Sequence, residues 1–278
     1  MTIPVILTHR GNQEYLKIAI RQARRRNGRV VLIGDESNRD FGADEHYLNS
    51  DYWEGAAEFA KVYRHMSHNP HDQELYCFQI YFVARDWARA HGVDRLFLMD
   101  SDVMLYCDVT EYEKTLGDYD LAINWCKRQE PYRWSACLHN SFWKVKTLEV
   151  MCNQLMDAYL GGWIPMLEQK WAWHQKNKIP GGVCDMTLLH FFRHLCKAIN
   201  LSEVRDGSVW DDNINCAENY HEREYTTMFA MKTVILPVGG AQPALVLKET
   251  IEGEPHFVFA NALHFQGQAK RLMGGYEG

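Results

Sequence analysis

"IPVILTHRGNQEYLKIAIRQARRRNGRVVLIGDE", residues 3–36, holds two short apolar runs either side of one amphipathic stretch. Ile3 to His9 reads as a buried strand, closed by the turn residues Gly11 and Asn12. From Gln13 to Arg26, Leu16, Ile20 and Ala23 recur at helical spacing on one face, and Asn27-Gly28 ends that helix. Arg29 to Glu36 supplies a second strand. A strand, a helix and a strand within about thirty residues form a βαβ unit, and a crossover of that kind makes the two strands parallel. The expected fold class is therefore α/β, with a Rossmann-like, mostly parallel central sheet flanked by helices. The first turn, "THRGNQ" (8–13), lacks G-x-G-x-x-G, so a dinucleotide site is not expected there.

Outward from this unit, residues 53–65 and 73–91 read as helices, the second ending at His91-Gly92 ahead of the strand "RLFLMDSD" (95–102). Weaker strands are expected at 119–125 and 134–138. Thr147 reads as an N-cap for helices running to about 177, interrupted at Gly161-Gly162 and Pro165. "IPGGVCDMTLLHFFRHLCKAI" (179–199) is a glycine turn followed by another helix, and 233–265 reads as strands with Glu252 to Pro255 as a hairpin turn. Neither a repeat nor a linker interrupts the chain, so 1–278 is expected to form one domain with a small C-terminal β region.

A formal net charge of −6 and scattered basic residues argue against a polyanion partner, and no nucleic acid is expected. The run Arg24 to Arg26 suits a helix C-terminus, where cations meet the dipole. Eight cysteines without C-x-x-C spacing, in a chain whose first residues lack a signal-like segment, are expected to be reduced and the location cytoplasmic. No apolar run approaches the ~20 residues of a membrane span, which leaves peripheral membrane contact open. Nine Trp, fourteen Tyr and twelve Phe can stack on sugars, but core packing accounts for most such rings.

In "RLFLMDSDVMLY" (95–106) an apolar strand runs into Asp100 and Asp102. Strand side chains alternate, so if the extended conformation persists both carboxylates point one way and Ser101 the other. They would sit at the carboxyl end of a parallel strand, where open α/β sheets bind ligands. Two converging acids repel unless a cation lies between them, and Mg²⁺ or Mn²⁺ is held by such carboxylates together with substrate phosphates. The alternative is that D-x-D merely caps a turn or is solvated.

Asp100-Ser101-Asp102 resembles the D-x-D motif of GT-A-fold glycosyltransferases, which closes a buried strand and holds the metal that grips a nucleotide-sugar diphosphate. "NALHFQGQAKRLM" (261–273) resembles the H-x-x-G-x-x-K element of family 8 glycosyltransferases, matched by His264, Gly267 and Lys270. The resemblance implies a metal held by Asp100, Asp102 and His264, a diphosphate met by Lys270, and close backbone approach at Gly267. Mixed carboxylate and imidazole donors suit Mn²⁺ better than Mg²⁺. Thr8, His9, Arg10 and Ser101 would bracket the nucleotide, and Asp35 would accept from ribose or base, although acids ending a strand are usually solvated.

"CLHNSFWKV" (137–145) occupies the place of a family N-S-G element near the donor sugar. Asn140 and Ser141 match it, and Phe142 replaces the glycine. Asp185 in "PGGVCDMTLL" (180–189) is either an N-terminal capping acid or, by resemblance, a catalytic residue on the acceptor side. Trp163, Trp171 and Trp173 could line an acceptor groove or pack on helix faces. The resemblance divides the chain into a nucleotide-binding half, 1–125, and a half, 126–278, carrying the acceptor site and the C-terminal metal and diphosphate element.

The implied activity is metal-dependent transfer of a sugar from a nucleotide diphosphate sugar, expected to be a UDP-sugar, to a hydroxyl of a glycan, lipid-linked or protein acceptor. Glycan or polysaccharide synthesis is the setting this suggests. Family 8 enzymes retain anomeric configuration, whereas Asp185 as general base would suit inversion, and the sequence leaves both open. The rivals are a noncatalytic nucleotide-sugar or carbohydrate binding protein of the same fold and a metal-dependent phosphatase. The phosphatase pattern needs Thr or Val where Met104 stands. A nucleotidyltransferase would need a glycine-rich loop between Val5 and Asn12, which is missing.

Overall fold

A computed structural model describes residues 2–126, 129–216, 225–236, 242–251 and 254–278. The opening βαβ unit forms as β1 (Val5–Thr8), α1 (Glu14–Arg24) and β2 (Val30–Gly34). Then come β3 (Glu45–Leu48), α2 (Glu54–Val62), α3 (His71–Ala90), β4 (Arg95–Met99), β5 (Val103–Leu105) and α4 (Val109–Glu113). The middle of the chain supplies β6 (Leu121–Trp125), β7 (Ala136–Lys144), α5 (Val145–Asp157), α6 (Ile164–Asn177) and α7 (Asp185–Phe192). The remainder is strand-rich: β8 (Ala198–Asn200), β9 (Ser208–Trp210), β10 (Thr227–Met228), β11 (Met231–Lys232), β12 (Val234–Ile235), β13 (Ala244–Ile251) and β14 (Glu254–His264).

The central sheet has seven strands in the order β3-β2-β1-β4-β7-β6-β8. All its pairings are parallel except those on either side of β7, which runs against β4 and β6. Alternation explains why β1 up to Leu7 and β2 up to Ile33 are apolar on both faces. Val5, Leu7, Val30 and Leu32 pack with Leu16, Ala19, Ile20 and Ala23 of α1, while Ile6, Val31 and Ile33 join Ala56, Phe59, Phe82 and Trp87 of α2 and α3 on the other face. With helices on both sides, no residue of these strands can be polar without cost, and each large apolar side chain buried contributes about 1.5–3 kcal/mol.

A second sheet, β12-β13-β14-β5 with β9 beside β14, packs its buried Leu245, Val258 and Leu263 into the same cluster as α1. This is the small C-terminal β region, joined by one strand, β5, from the middle of the chain. β13 and β14 pair as a hairpin through Ile251 and Glu254. Of its expected turn, Glu252 and Gly253 lie outside the described residues.

Several local expectations are corrected. The strand expected at 134–138 is the nine-residue β7, buried along nearly its whole length. It runs straight into α5, whose N-cap is Lys144 rather than Thr147, because the Val145 N–H donates to the Asp94 carbonyl (2.8 Å) and starts the helix there. Thr147 is buried inside the first turn. The break at Gly161-Gly162 is a π-turn, Ala158–Gly162. Arg24, at the end of α1, is paired with Asp44 at 2.8 Å. Among the described residues, which include all eight cysteines, no disulfide forms, and no helix is long and apolar enough to cross a membrane.

Candidate metal centre

β4 ends at Met99, so the extended conformation does not persist through the acidic tip. The Val103 N–H donates to the Asp100 carbonyl (3.2 Å), making residues 100–103 a turn, while the Asp100 N–H donates to the His139 carbonyl on β7 (3.1 Å). The turn delivers the chain into the second sheet, where β5 pairs antiparallel with the end of β14: Val103 faces His264, Met104 faces Leu263 and Leu105 faces Ala262. The Phe265 N–H donates to the Asp102 carbonyl at 2.9 Å. Convergence of Asp100, Asp102 and His264 thus comes from a turn plus a strand pairing, not from alternation along one strand.

Ligand atoms of Asp100, Asp102 and His264 lie within 4.8 Å of one another. His264 Nε2 is 3.4 Å from Asp102 Oδ1, and Lys270 Nζ is 3.1 Å from Asp102 Oδ2. Burial and then the Asp102 charge push Asp100 up to about 6. Burial alone would raise Asp102 too, but the His264 and Lys270 cations hold it well below the usual carboxylate range. Burial disfavours the imidazolium of His264, yet the charge and hydrogen bond of Asp102 outweigh it and lift the group to about 9. The site is an acidic pair that draws positive charge to itself.

The donor set fits a divalent ion. His264 Nδ1–H donates to the Asp212 carbonyl at 2.5 Å, which leaves Nε2, facing Asp102, as the nitrogen that can bind an ion once its own proton is displaced. Two carboxylates and one imidazole then offer a mixed oxygen and nitrogen donor set within 4.8 Å. Lys270 lies in the 3₁₀ segment Gly267–Tyr276 that follows β14, with its ammonium over the Tyr15 ring at 5.0 Å. Gly267 enters that segment at φ +62°, a conformation that favours glycine.

Behind His264 is a buried ring that the sequence did not announce. Asp211 accepts from the His264 N–H (3.1 Å) and from Lys232 Nζ (2.5 Å), with both side chains of that ion pair fully buried. The His139 ring stacks on His264, centroids 4.3 Å apart and planes 20° apart. Burial, then the neighbouring His264 charge, keeps His139 neutral, and burial pushes Asp212 up to about 7. The only local hint was "WDDN" (210–213), adjacent acids directly after a tryptophan.

The first strand tips flank this centre. His9, buried, is 2.9 Å from Ser101 Oγ through Nδ1 and 2.6 Å from Gln13 Oε1 through Nε2, which ties the tip of β1 to the D-x-D turn. Thr8 ends β1 half-buried. The Arg10 guanidinium lies between the rings of Trp53 and Tyr76, at 4.4 and 4.3 Å. Asp35 caps the 3₁₀ turn Glu36–Asn38, accepting from Gly11 N–H (2.6 Å), Ser37 N–H (2.8 Å) and Ser37 Oγ (2.5 Å). Its carboxylate therefore fastens the first two tips together.

Asp185 opens α7, but Cys184 is the N-cap, so Asp185 is not the capping residue. Its buried carboxylate accepts from Tyr81 Oη at 3.1 Å, and burial, then the charges of Glu74 and Asp100, push it up to about 7. Asn140 is fully buried, with Nδ2 donating to the Asp211 carbonyl (3.4 Å). Trp163, Trp171 and Trp173 contact Phe191, His68 and Tyr132 respectively. A cavity of ≈ 630 Å³ opens at the opposite, amino end of the central strands, lined by Ile3, Pro4, Arg29 and Arg95 among others. Its two arginines are already paired with Glu45 and Glu113.

No protein-family model matches this chain, and no curated protein does. Solved structures with a similar backbone path include mouse xyloside xylosyltransferase 1 in its apo form: TM-score 0.48, 9% identity, 70% of this chain and 82% of that one. The WbbM bifunctional glycosyltransferase, also apo, matches at TM-score 0.44 and 12% identity over 78% of this chain and 40% of that one. A cytidylyltransferase from Leptospira borgpetersenii matches at TM-score 0.39 and 11% identity, over 74% and 78%. At such scores and identities these similarities supply no residue roles, and the site rests on its own geometry.

Proposed function

We propose that this chain is a GT-A-type glycosyltransferase that moves a sugar from a nucleotide diphosphate donor, a UDP-sugar, to an acceptor hydroxyl. The observation that carries the reading is the meeting of Asp100, Asp102, His264 and Lys270 at the carboxyl end of β4. A Mn²⁺ ion (or Mg²⁺) bound by Asp100, Asp102 and His264 would supply Lewis-acid stabilisation of a diphosphate.

The chain's own residues do the rest. As the glycosidic bond breaks, negative charge grows on the departing diphosphate, and the Lys270 ammonium is the nearby fixed cation able to stabilise it. Gly267 admits phosphate to the backbone at the turn before that lysine. His9, held neutral chiefly by burial, positions Ser101 beside the diphosphate, and Thr8 and Arg10 flank the nucleoside. Asp35 holds the loop that carries Arg10. Asp185, at about 7, can take a proton from an acceptor hydroxyl or return one at neutral pH. Asn140 orients the Asp211 carbonyl segment toward the donor sugar. In this reading 1–125 binds nucleotide and 126–278 carries acceptor contacts and the C-terminal metal and diphosphate element.

The test is release of UDP from UDP-sugars with and without Mn²⁺, using Asp102→Asn as control. Metal-dependent release that this variant abolishes supports the reading. Tight donor binding without turnover across an acceptor screen would instead make the protein a noncatalytic nucleotide-sugar binder.

A further inference from the structure

The wall behind His264 holds a second set of metal donors that shares no residue with the first. Cys137 and His139 are two apart on β7, so alternation sends both side chains to one face. Asp212, on the loop after β9, meets them there: a cysteine sulfur, a ring nitrogen and a carboxylate oxygen lie within 4.8 Å of one another. All three residues are less than a tenth exposed, at 8%, 2% and 8%. His139 Nε2 is 3.9 Å from Asp212 Oδ1 and donates to the Asp211 carbonyl at 3.3 Å, and the Met186 thioether lies beside the set, 3.2 Å from Cys137 Sγ.

We propose that Cys137, His139 and Asp212 form a Zn²⁺ site. Donor chemistry selects the ion: thiolate, imidazole and a neighbouring thioether are soft or borderline, whereas Mn²⁺ and Mg²⁺ prefer oxygen. Ligand atoms around a tetrahedral zinc are about 3.3–3.7 Å apart, so the three side chains close by up to about one ångström through side-chain rotation. On binding, the Cys137 thiol gives its proton to solvent, the neutral imidazole offers a lone pair through Nδ1, or through Nε2 once its proton has moved to Nδ1 and the bond to the Asp211 carbonyl is given up, and the carboxylate is already ionised or loses its proton to solvent. The stack of His139 on His264 makes the two centres neighbours across one pair of rings. The zinc site stands whether or not the chain transfers sugar.

The test uses the full chain, stripped with chelator and desalted, then titrated with Zn²⁺ and separately with Co²⁺ as an optical reporter. The expected result is one tightly held Zn²⁺ per chain and a thiolate-to-cobalt charge-transfer band in the near ultraviolet. Cys137→Ser should lose the band and weaken Zn²⁺ by more than about tenfold, Asp212→Asn should weaken it similarly, and Asp102→Asn and the exposed-thiol control Cys216→Ser should retain both. A wild-type Co²⁺ spectrum without a charge-transfer band overturns the site without recourse to any variant. So does Zn²⁺ binding that Cys137→Ser leaves unchanged, or that Asp102→Asn abolishes.

Discussion

Mn²⁺ binding should depend steeply on pH, with a slope set by His264. Held at about 9 by Asp102 and Asp100, this imidazole is protonated at neutral pH, and the ion can use Nε2 only after displacing that proton. Asp100, at about 6, is ionised above that pH and adds a second proton to be displaced below it. Between pH 6.5 and 8.5 one proton is released per ion, so affinity rises about tenfold per unit, roughly a hundredfold or 2.7 kcal/mol across the range. Below pH 6 the slope should steepen toward two protons. Calorimetric titration at pH 7.5 in buffers of different ionisation enthalpy counts the protons directly, with about one expected for the wild type and close to none for His264→Gln. Affinity that stays flat from pH 6.5 to 8.5, or binding that releases no proton, would refute the assignment of His264 as a ligand.

Lys270→Ala removes the ammonium 3.1 Å from Asp102 and should lower kcat/KM for the donor by at least about tenfold while leaving Mn²⁺ affinity within threefold; unaltered kinetics would remove Lys270 from the pocket. Lys232→Met strands the buried Asp211 carboxylate and should cost about 3–5 kcal/mol in urea unfolding, with Asp211→Asn/Lys232→Met recovering part of it; a loss under about 1 kcal/mol would show that the pair is not structural. Asp185→Asn deletes a group titrating near 7, so any acidic limb at that pH in the turnover profile should vanish; a limb that persists belongs to another residue.

How far the fold was legible depended on whether local pattern or distant pairing fixed each element. The βαβ unit at 3–36 was legible because both strands are buried on two faces and must be apolar, while the helix between them repeats at a different interval. β7 was underestimated because His139, Asn140 and Ser141 interrupt its apolar character. Ser141 is accommodated inside the sheet because it is hydrogen-bonded: its Oγ donates to the Leu138 carbonyl at 2.8 Å and accepts from Trp143 Nε1 at 2.8 Å. β5 has three residues and is a strand only because β14 pairs with it, which no window around 103–105 can reveal. The acids at 100 and 102 stood out as charges at the end of an apolar run, and His264 entered through its resemblance to a known element. The buried pair of Asp211 and Lys232 left only the faint trace of adjacent acids after Trp210, since nothing near Lys232 distinguishes it from a solvated charge. Asp35 also accepts from the Gly11 N–H, twenty-four residues away, a contact that no window around 35 reveals.

The pairing of β5 with β14 acts as a ruler. Slipping it by a single residue would turn the imidazole to the opposite side of the small sheet and put Leu263 or Phe265 beside the acids, because side-chain direction reverses at every step. The Phe265 amide bound to the Asp102 carbonyl fixes the zero mark of that scale, so insertions or deletions between 103 and 105, or between 262 and 265, should be far more damaging than equal changes at the distant end of the hairpin.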